Sequence, residues 1–197
     1  MIILNKKSHG FSLLEVLISV VILSIGLLGM AGIQLKGLSS NNSANIRTQA
    51  TLLANDLAER MHANPLGARN PTGAAANTNY DNMDFNSVNC AADPNPYCSR
   101  TSAATADSCT PAQMAQFDRT LWMCGLTKND GVLDTLPGAT VAVTCNDLDK
   151  DLDEDDQDSD NCSPGSSLQI DITWKSVSET DDDGVPIDKI VSLVTVP

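Results

Sequence analysis

Proline is absent from the first 64 residues, and no charged residue occurs from Val16 to Leu35. The first absence removes the commonest helix breaker. The second removes the charged face that a surface helix turns to water. Histidine occurs only at His9 and His62, and no two cysteines form a Cys-x-x-Cys pair. That pattern argues against a structural zinc site, and it leaves the cysteine-bearing half without a histidine base for a nucleophile. No paired acid/base constellation and no phosphate-cradling glycine loop occur either, so an enzyme is not expected. Basic residues are scarce, 12 against 25 acidic, for a formal net charge of −13. Nucleic-acid partners, which need a basic footprint, are not expected.

The chain instead has a long apolar run. Phe11 to Leu35 meets the ~20 residues at ~1.5 Å rise that a bilayer core requires, provided Glu15 is tolerated. After Leu35 the pattern becomes amphipathic, with Ile46, Ala50, Leu53, Leu57 and Met61 at helical spacing and Arg47, Asp56, Glu59 and Arg60 between them. No stop signal appears before Asn64-Pro65. One helix is expected: a transmembrane or assembly half over 11–35, then an amphipathic half over 36–63 laid on a soluble domain. Phe11 to Met61 would span about 75 Å at helical rise, too long for a globular core alone. The 197 residues leave room for a single head domain over 36–197.

Glu15 is the one acid in that apolar run. A carboxylate at the bilayer centre costs roughly 2.5–3.5 kcal/mol on insertion scales and marks a function with a partner. Lys6 and Lys7 are the nearest cations, but they belong at the cytoplasmic face. Cutting at Gly10-Phe11, ahead of the apolar run, would retain the helix, unlike removal of an ordinary signal peptide. It would also create a cation, the amine of Phe11, for Glu15 of the same chain or of a neighbouring copy. The plainer alternative is a carboxylate that snorkels to the interface.

Lys6-Lys7-Ser8-His9-Gly10 followed by Phe11-Ser12-Leu13-Leu14-Glu15-Val16-Leu17-Ile18 resembles the class III leader and first turns of type IV prepilins, over Lys6 to about Met30. The resemblance implies a leader over 1–10, cut by a prepilin peptidase between Gly10 and Phe11. It also implies N-methylation of Phe11 and use of Glu15 to register one subunit's helix against its neighbour's amine. Losing Lys6 and Lys7 would take the net charge to about −15. Major pilins usually carry a proline in mid-helix. This chain has Gly26, Gly29 and Gly32 there, read as close helix packing through small residues.

All six cysteines, Cys90, Cys98, Cys109, Cys124, Cys145 and Cys162, follow the membrane segment. This suits an oxidising compartment and up to three disulfides. Residues 64–109 read as a long irregular connection pinned by disulfides. Thr110-Pro111 is an N-cap followed by proline at the first helical position, opening a second helix assigned to 110–135. Met114, Phe117, Leu121 and Cys124 are expected on one face of it, flanked by Trp122 and Met123. A continuous helix would hold Cys109 and Cys124 roughly 20 Å apart, beyond the about 7 Å that a disulfide allows.

Leu136-Pro137-Gly138 reads as a turn, and 139–197 as an antiparallel β-meander. Its strands are Thr140–Cys145, Ser167–Trp174 and Ile190–Val196, with a turn at Asp183-Gly184. Leu168, Ile170, Ile172 and Trp174 share a face. Cys145 and Cys162 enclose a run of aspartates and are the expected disulfide pair. Asp147, Asp149, Asp151 and Asp153 resemble the start of a calcium loop. The turn glycine is missing and Lys150 intrudes, so the full pattern fails. A solvated acidic loop is the competing assignment, with no cofactor.

Ala54-Asn55-Asp56-Leu57-Ala58-Glu59-Arg60-Met61, the second helix, Leu-Pro-Gly and Ile172-Thr173-Trp174 together resemble the PilV-type minor pilins. The two resemblances imply an α+β, type IV pilin-like fold: a long N-terminal helix on an antiparallel sheet, with an extra helix and an irregular disulfide-braced region. They imply a structural minor subunit that works with other minor pilins and the major pilin to initiate the fibre. Its place would be at the tip, beside a tip adhesin, in adhesion and twitching motility. The chain would sit in inner-membrane lipid with its head in the periplasm, then on the surface pilus. Alternatives are a minor pseudopilin of type II secretion and a membrane-anchored periplasmic binding module.

Overall fold

The computed structural model describes residues 12–68, 79–95, 97–98, 109–127, 130–148, 162–163 and 165–197. The chain divides into two compact units, Met1–Asn42 and Ser43–Pro197. Helix α1, Leu13–Ala63, is the first element of secondary structure. Ser12 opens it, its hydroxyl accepting from the Leu14 N–H at 3.3 Å and its carbonyl from the Glu15 N–H at 3.0 Å. The helix ends at Ala63, immediately before Asn64-Pro65, as the restriction on a residue preceding proline requires.

Within the second unit, α1 buries Ile46, Ala50, Ala54, Leu57, Ala58 and Met61. Leu53, expected in this stripe, is half-buried, and Ala54 takes the interior position. Alanines at 50, 54 and 58 let the helix backbone come close to what it packs on. The Leu53 carbonyl accepts from the Trp122 indole N–H at 3.1 Å.

The 64–109 connection is less irregular than expected. A four-residue helix α2, Pro65–Ala68, follows α1 directly. Two 3-10 turns, Tyr80–Asn82 and Phe85–Ser87, bring Tyr80 and Phe85 into the core. Phe85 meets Trp122 edge-on, ring centroids 5.9 Å apart. Aromatic burial anchors this segment as well as the disulfides do.

Helix α3, Pro111–Cys124, starts with a complete capping box. The Gln113 N–H donates to the Thr110 hydroxyl, and the Gln113 side chain accepts from the Thr110 N–H at 2.8 Å. The expected 110–135 helix is two helices. Gly125 adopts φ 78°, where a Cβ would lie 2.5 Å from the Gly131 nitrogen. The chain therefore turns back, and a separate short helix α4 forms over Val132–Thr135. The buried face of α3 also differs. It comprises Ala115, Phe117, Asp118, Trp122, Met123 and Cys124, while Met114 and Leu121 are half-buried.

Strands β1 (Thr140–Asn146), β2 (Ser167–Thr180) and β3 (Pro186–Thr195) form an antiparallel sheet in the order β1-β2-β3. Val141 pairs with Ile172, Val143 with Ile170 and Cys145 with Leu168. Leu168, Ile170, Ile172 and Trp174 face the core. Strand β2 runs past Trp174 to Thr180, so the β2–β3 hairpin outreaches β1. It closes in a turn where Asp181 Oδ1 accepts from the Val185 N–H at 2.8 Å and Gly184 takes φ 79°.

Candidate functional site

The first candidate is the start of α1. Gly10 and Phe11, the expected cleavage junction, lie outside the described residues. Glu15 stands in the first turn of α1, the only charged side chain before Lys36 among the described residues. Every described residue before Leu38 is exposed on the chain alone, including Leu13, Val16, Leu17, Ile22, Leu27 and Ile33. By length and composition this segment can cross a membrane. Its hydroxyls suit an apolar surround, because Ser19 donates to the Val16 carbonyl at 2.8 Å and Ser24 to the Val20 carbonyl at 2.7 Å. A Cβ at Gly26, Gly29 or Gly32 would meet nothing within 4 Å. These glycines leave a flat strip of backbone to which another helix can come close.

The second candidate is the acidic loop. Asp149, Asp151 and Asp153 lie outside the described residues. Asp147 lies within them and is engaged by protein donors. Its Oδ1 accepts from the Ser163 N–H at 2.9 Å, the Ser163 hydroxyl at 2.7 Å, the Ser166 hydroxyl at 2.8 Å and the Leu148 N–H at 2.9 Å. The Cys145–Cys162 disulfide, Cα atoms 5.9 Å apart, lies beside it. Asp147 thus ties the two ends of the loop together. Among the described residues no group of three or more His, Cys, Asp and Glu could hold a metal ion. Replacing Asp147 with alanine strips an acceptor from Ser163 and Ser166, which are both buried. The expected cost is about 2 kcal/mol, or a fall in head melting temperature of roughly 4–8 °C, read by thermal denaturation of the detergent-solubilised chain. An unchanged melting temperature would refute the clamp.

The third feature was not anticipated from the sequence. Arg60, near the end of α1, donates from Nη1 to Asp118 Oδ1 at 3.0 Å and from Nε to Asp56 Oδ2 at 3.1 Å. The Tyr80 hydroxyl donates to the other Asp118 oxygen. Burial alone would lower the Arg60 pKa, but Asp56 and Asp118 outweigh it and leave the guanidinium above its ordinary value. Burial, then Asp118, push the Tyr80 phenol far above the ordinary tyrosine value, so it stays a donor. One carboxylate therefore joins α1, α3 and the 80–82 turn. The available signal was an acid at core spacing on a helix: Ala115, Asp118 and Trp122 stand at i, i+3 and i+7.

The remaining cysteines pair as Cys90–Cys124 and Cys98–Cys109. Cys109 and Cys124 are not joined, as the helix between them requires.

Two family matches adjoin along the chain. Residues 5–31 match the family described as Prokaryotic N-terminal methylation motif, and residues 32–120 match Type IV pilin Tt1218. The chain carries a type IV pilin domain. Its long helix packed on an antiparallel sheet, with an added helix and three disulfides, is the type IV pilin-like α+β fold. The pilin match ends within α3, so the sheet is known from the structure alone. A prepilin motif ahead of a pilin domain implies processing by prepilin peptidase and assembly with other pilins. An apolar helix in that position fits inner-membrane anchoring followed by entry into a pilus. No curated protein and no solved structure matches the chain.

Proposed function

We propose that this pilin is a minor, PilV-type subunit of a type IV pilus. Prepilin peptidase cuts it after Gly10, Phe11 is N-methylated, and Glu15 registers the helix against a neighbour's terminal amine. Before assembly the head lies on the periplasmic side of the inner membrane. Afterwards it sits at the fibre tip with other minor pilins, serving initiation, adhesion and twitching motility. The role is structural, with no catalytic residue and no resident cofactor.

The observation that carries this reading is the exposed apolar start of α1 with its one acid. Leaving more than twenty apolar residues in water is untenable at ~25 cal/mol per Å², so lipid or other helices must cover them. A carboxylate among them needs a cation at the same depth. The acidic head adds a second support, since a subunit used in few copies avoids stacking like charges along a fibre.

Mass spectrometry of the mature chain tests the reading. The expected N-terminus is a methylated Phe11, and Glu15→Ala is expected to cut incorporation into pili at least tenfold while the membrane pool persists. A leader still attached in assembled fibres would overturn it. Loss of exoprotein secretion on gene deletion, with piliation intact, would assign the chain to type II secretion instead.

A further inference from the structure

The two margins of the sheet are treated differently. At the β1 margin, Asn86 imitates a neighbouring strand. Its Nδ2 donates to the Val141 carbonyl at 3.1 Å, and its Oδ1 accepts from the Val141 N–H at 2.9 Å. The turns at 80–82 and 85–87 lie against the same strand. At the β3 margin the described residues provide no such seal. The one side-chain contact there from outside the hairpin is at the far end, where the Thr195 hydroxyl meets His62 Nε2 at 2.8 Å.

The devices that guard an open strand edge are charge, proline, bulges and cover. In β3 these gather at one end. Pro186 opens the strand, the register shifts between Lys175 and Thr180, and Asp188 and Lys189 follow. Both charges are already engaged across the hairpin, Lys175 to Asp188 at 2.8 Å and Lys189 to Glu179 at 2.7 Å. Beyond them Ile190-Val191-Ser192-Leu193-Val194-Thr195-Val196 contains no charge, proline or glycine. Ile190 and Val194 are each 57% exposed. An uncharged, β-branched stretch on an open edge is a template for another strand.

We propose that residues 190–196 are a docking edge for an extended segment of a different pilin-type subunit, which adds a fourth strand to the sheet. This rests on the chain being a pilus subunit. Assembly with other pilins is what the prepilin motif implies, and such assembly brings heads of other subunits alongside. Charge decides against a second copy. The chain carries −13 overall, and the hairpin turn next to the docking stretch contains Asp181, Asp182 and Asp183. Two copies side by side would bring these charges within about one screening length, ~8 Å. A less acidic or basic head has no such penalty. In strand addition the main chain supplies affinity and alternate side chains supply choice. Ile190 and Val194, with Ser192 between them, select apolar residues flanking a small one.

A photo-cross-linking amino acid placed at Ser192 in the full chain, in cells that assemble the fibre, tests the proposal. The expected adduct joins position 192 to a peptide of another chain that carries its own methylation motif. Ile190→Lys with Val194→Lys should reduce that adduct at least tenfold without moving the head's melting temperature. An adduct only with a second copy, an adduct with a non-pilin protein, no adduct, or an equal yield from the same probe at Thr144 on β1 would each overturn it. An unprocessed Phe11 would refute the subunit reading itself; a processed Phe11 without the adduct would refute only the docking edge.

Discussion

Asp118→Ala is expected to lower head stability by about 3 kcal/mol, the low end of the cost of breaking a buried charge pair. Arg60 retains Asp56 after the change, so its charge is not stranded, which keeps the figure at that end. The Tyr80 hydroxyl has no such reserve, because Tyr80 is fully buried and loses its acceptor. Asp118→Asn keeps an acceptor for Tyr80 and should cost about half as much. Chemical denaturation followed by fluorescence reads the difference, since Trp122 lies one turn away on α3. A loss below about 0.5 kcal/mol for the alanine variant would show that packing alone joins α1 to α3.

The same cluster gives a pH signature. The folded chain holds the Tyr80 proton far above the ordinary value, whereas an unfolded tyrosine releases it near about pH 10. Above that pH the unfolded state binds fewer protons than the folded one, so stability falls as pH rises. Tyr80→Phe should remove this part of the alkaline loss while leaving the neutral-pH comparison with Asp118→Ala intact.

The second large effect is expected from removing the Cys90–Cys124 bridge with paired alanines. Its sequence separation is 34, against 17 for Cys145–Cys162 and 11 for Cys98–Cys109. Loop-closure entropy alone gives about 3–4 kcal/mol for the longest of them and about 1 kcal/mol less for the shortest. The longest bridge also ties the 80–98 segment to the buried end of α3, where Cys124 is nearly inaccessible. The Cys90/Cys124 variant should therefore melt lowest of the three paired-alanine variants. If it melts with the others, Tyr80 and Phe85 hold that segment in place without the bridge.

Much of the molecule was legible because its signals are local. Fifty-one helical residues require only the absence of proline and a continuing apolar period, both visible in the sequence. Thr110-Pro111-Ala112-Gln113 contains all the groups of its capping box. The strand carrying Leu168, Ile170, Ile172 and Trp174 alternates as a half-buried strand must. Less was legible where distant segments compete for one place. Met114 and Leu121 are apolar at helical spacing, but Arg60 and Tyr80 draw Asp118 inward and rotate the buried face of α3. The second helix stops at Cys124 because the returning chain places Gly131 against it.

By itself the sequence determined the apolar helix with its single acid, the methylation motif ahead of it, the order of helix and strands, and the exclusion of a Cys109–Cys124 bridge. Each depends on residues within a few turns of one another, where spacing alone sets geometry. Only the tertiary structure decided that Cys90 meets Cys124, that Asp118 rather than Leu121 faces inward, that Asp147 spends an oxygen closing its loop, and that β1 is sealed while β3 stays open. Those outcomes depend on which surfaces meet across dozens of residues. Burial then sets the cost of every unpaired charge and strand edge, and no local pattern encodes it.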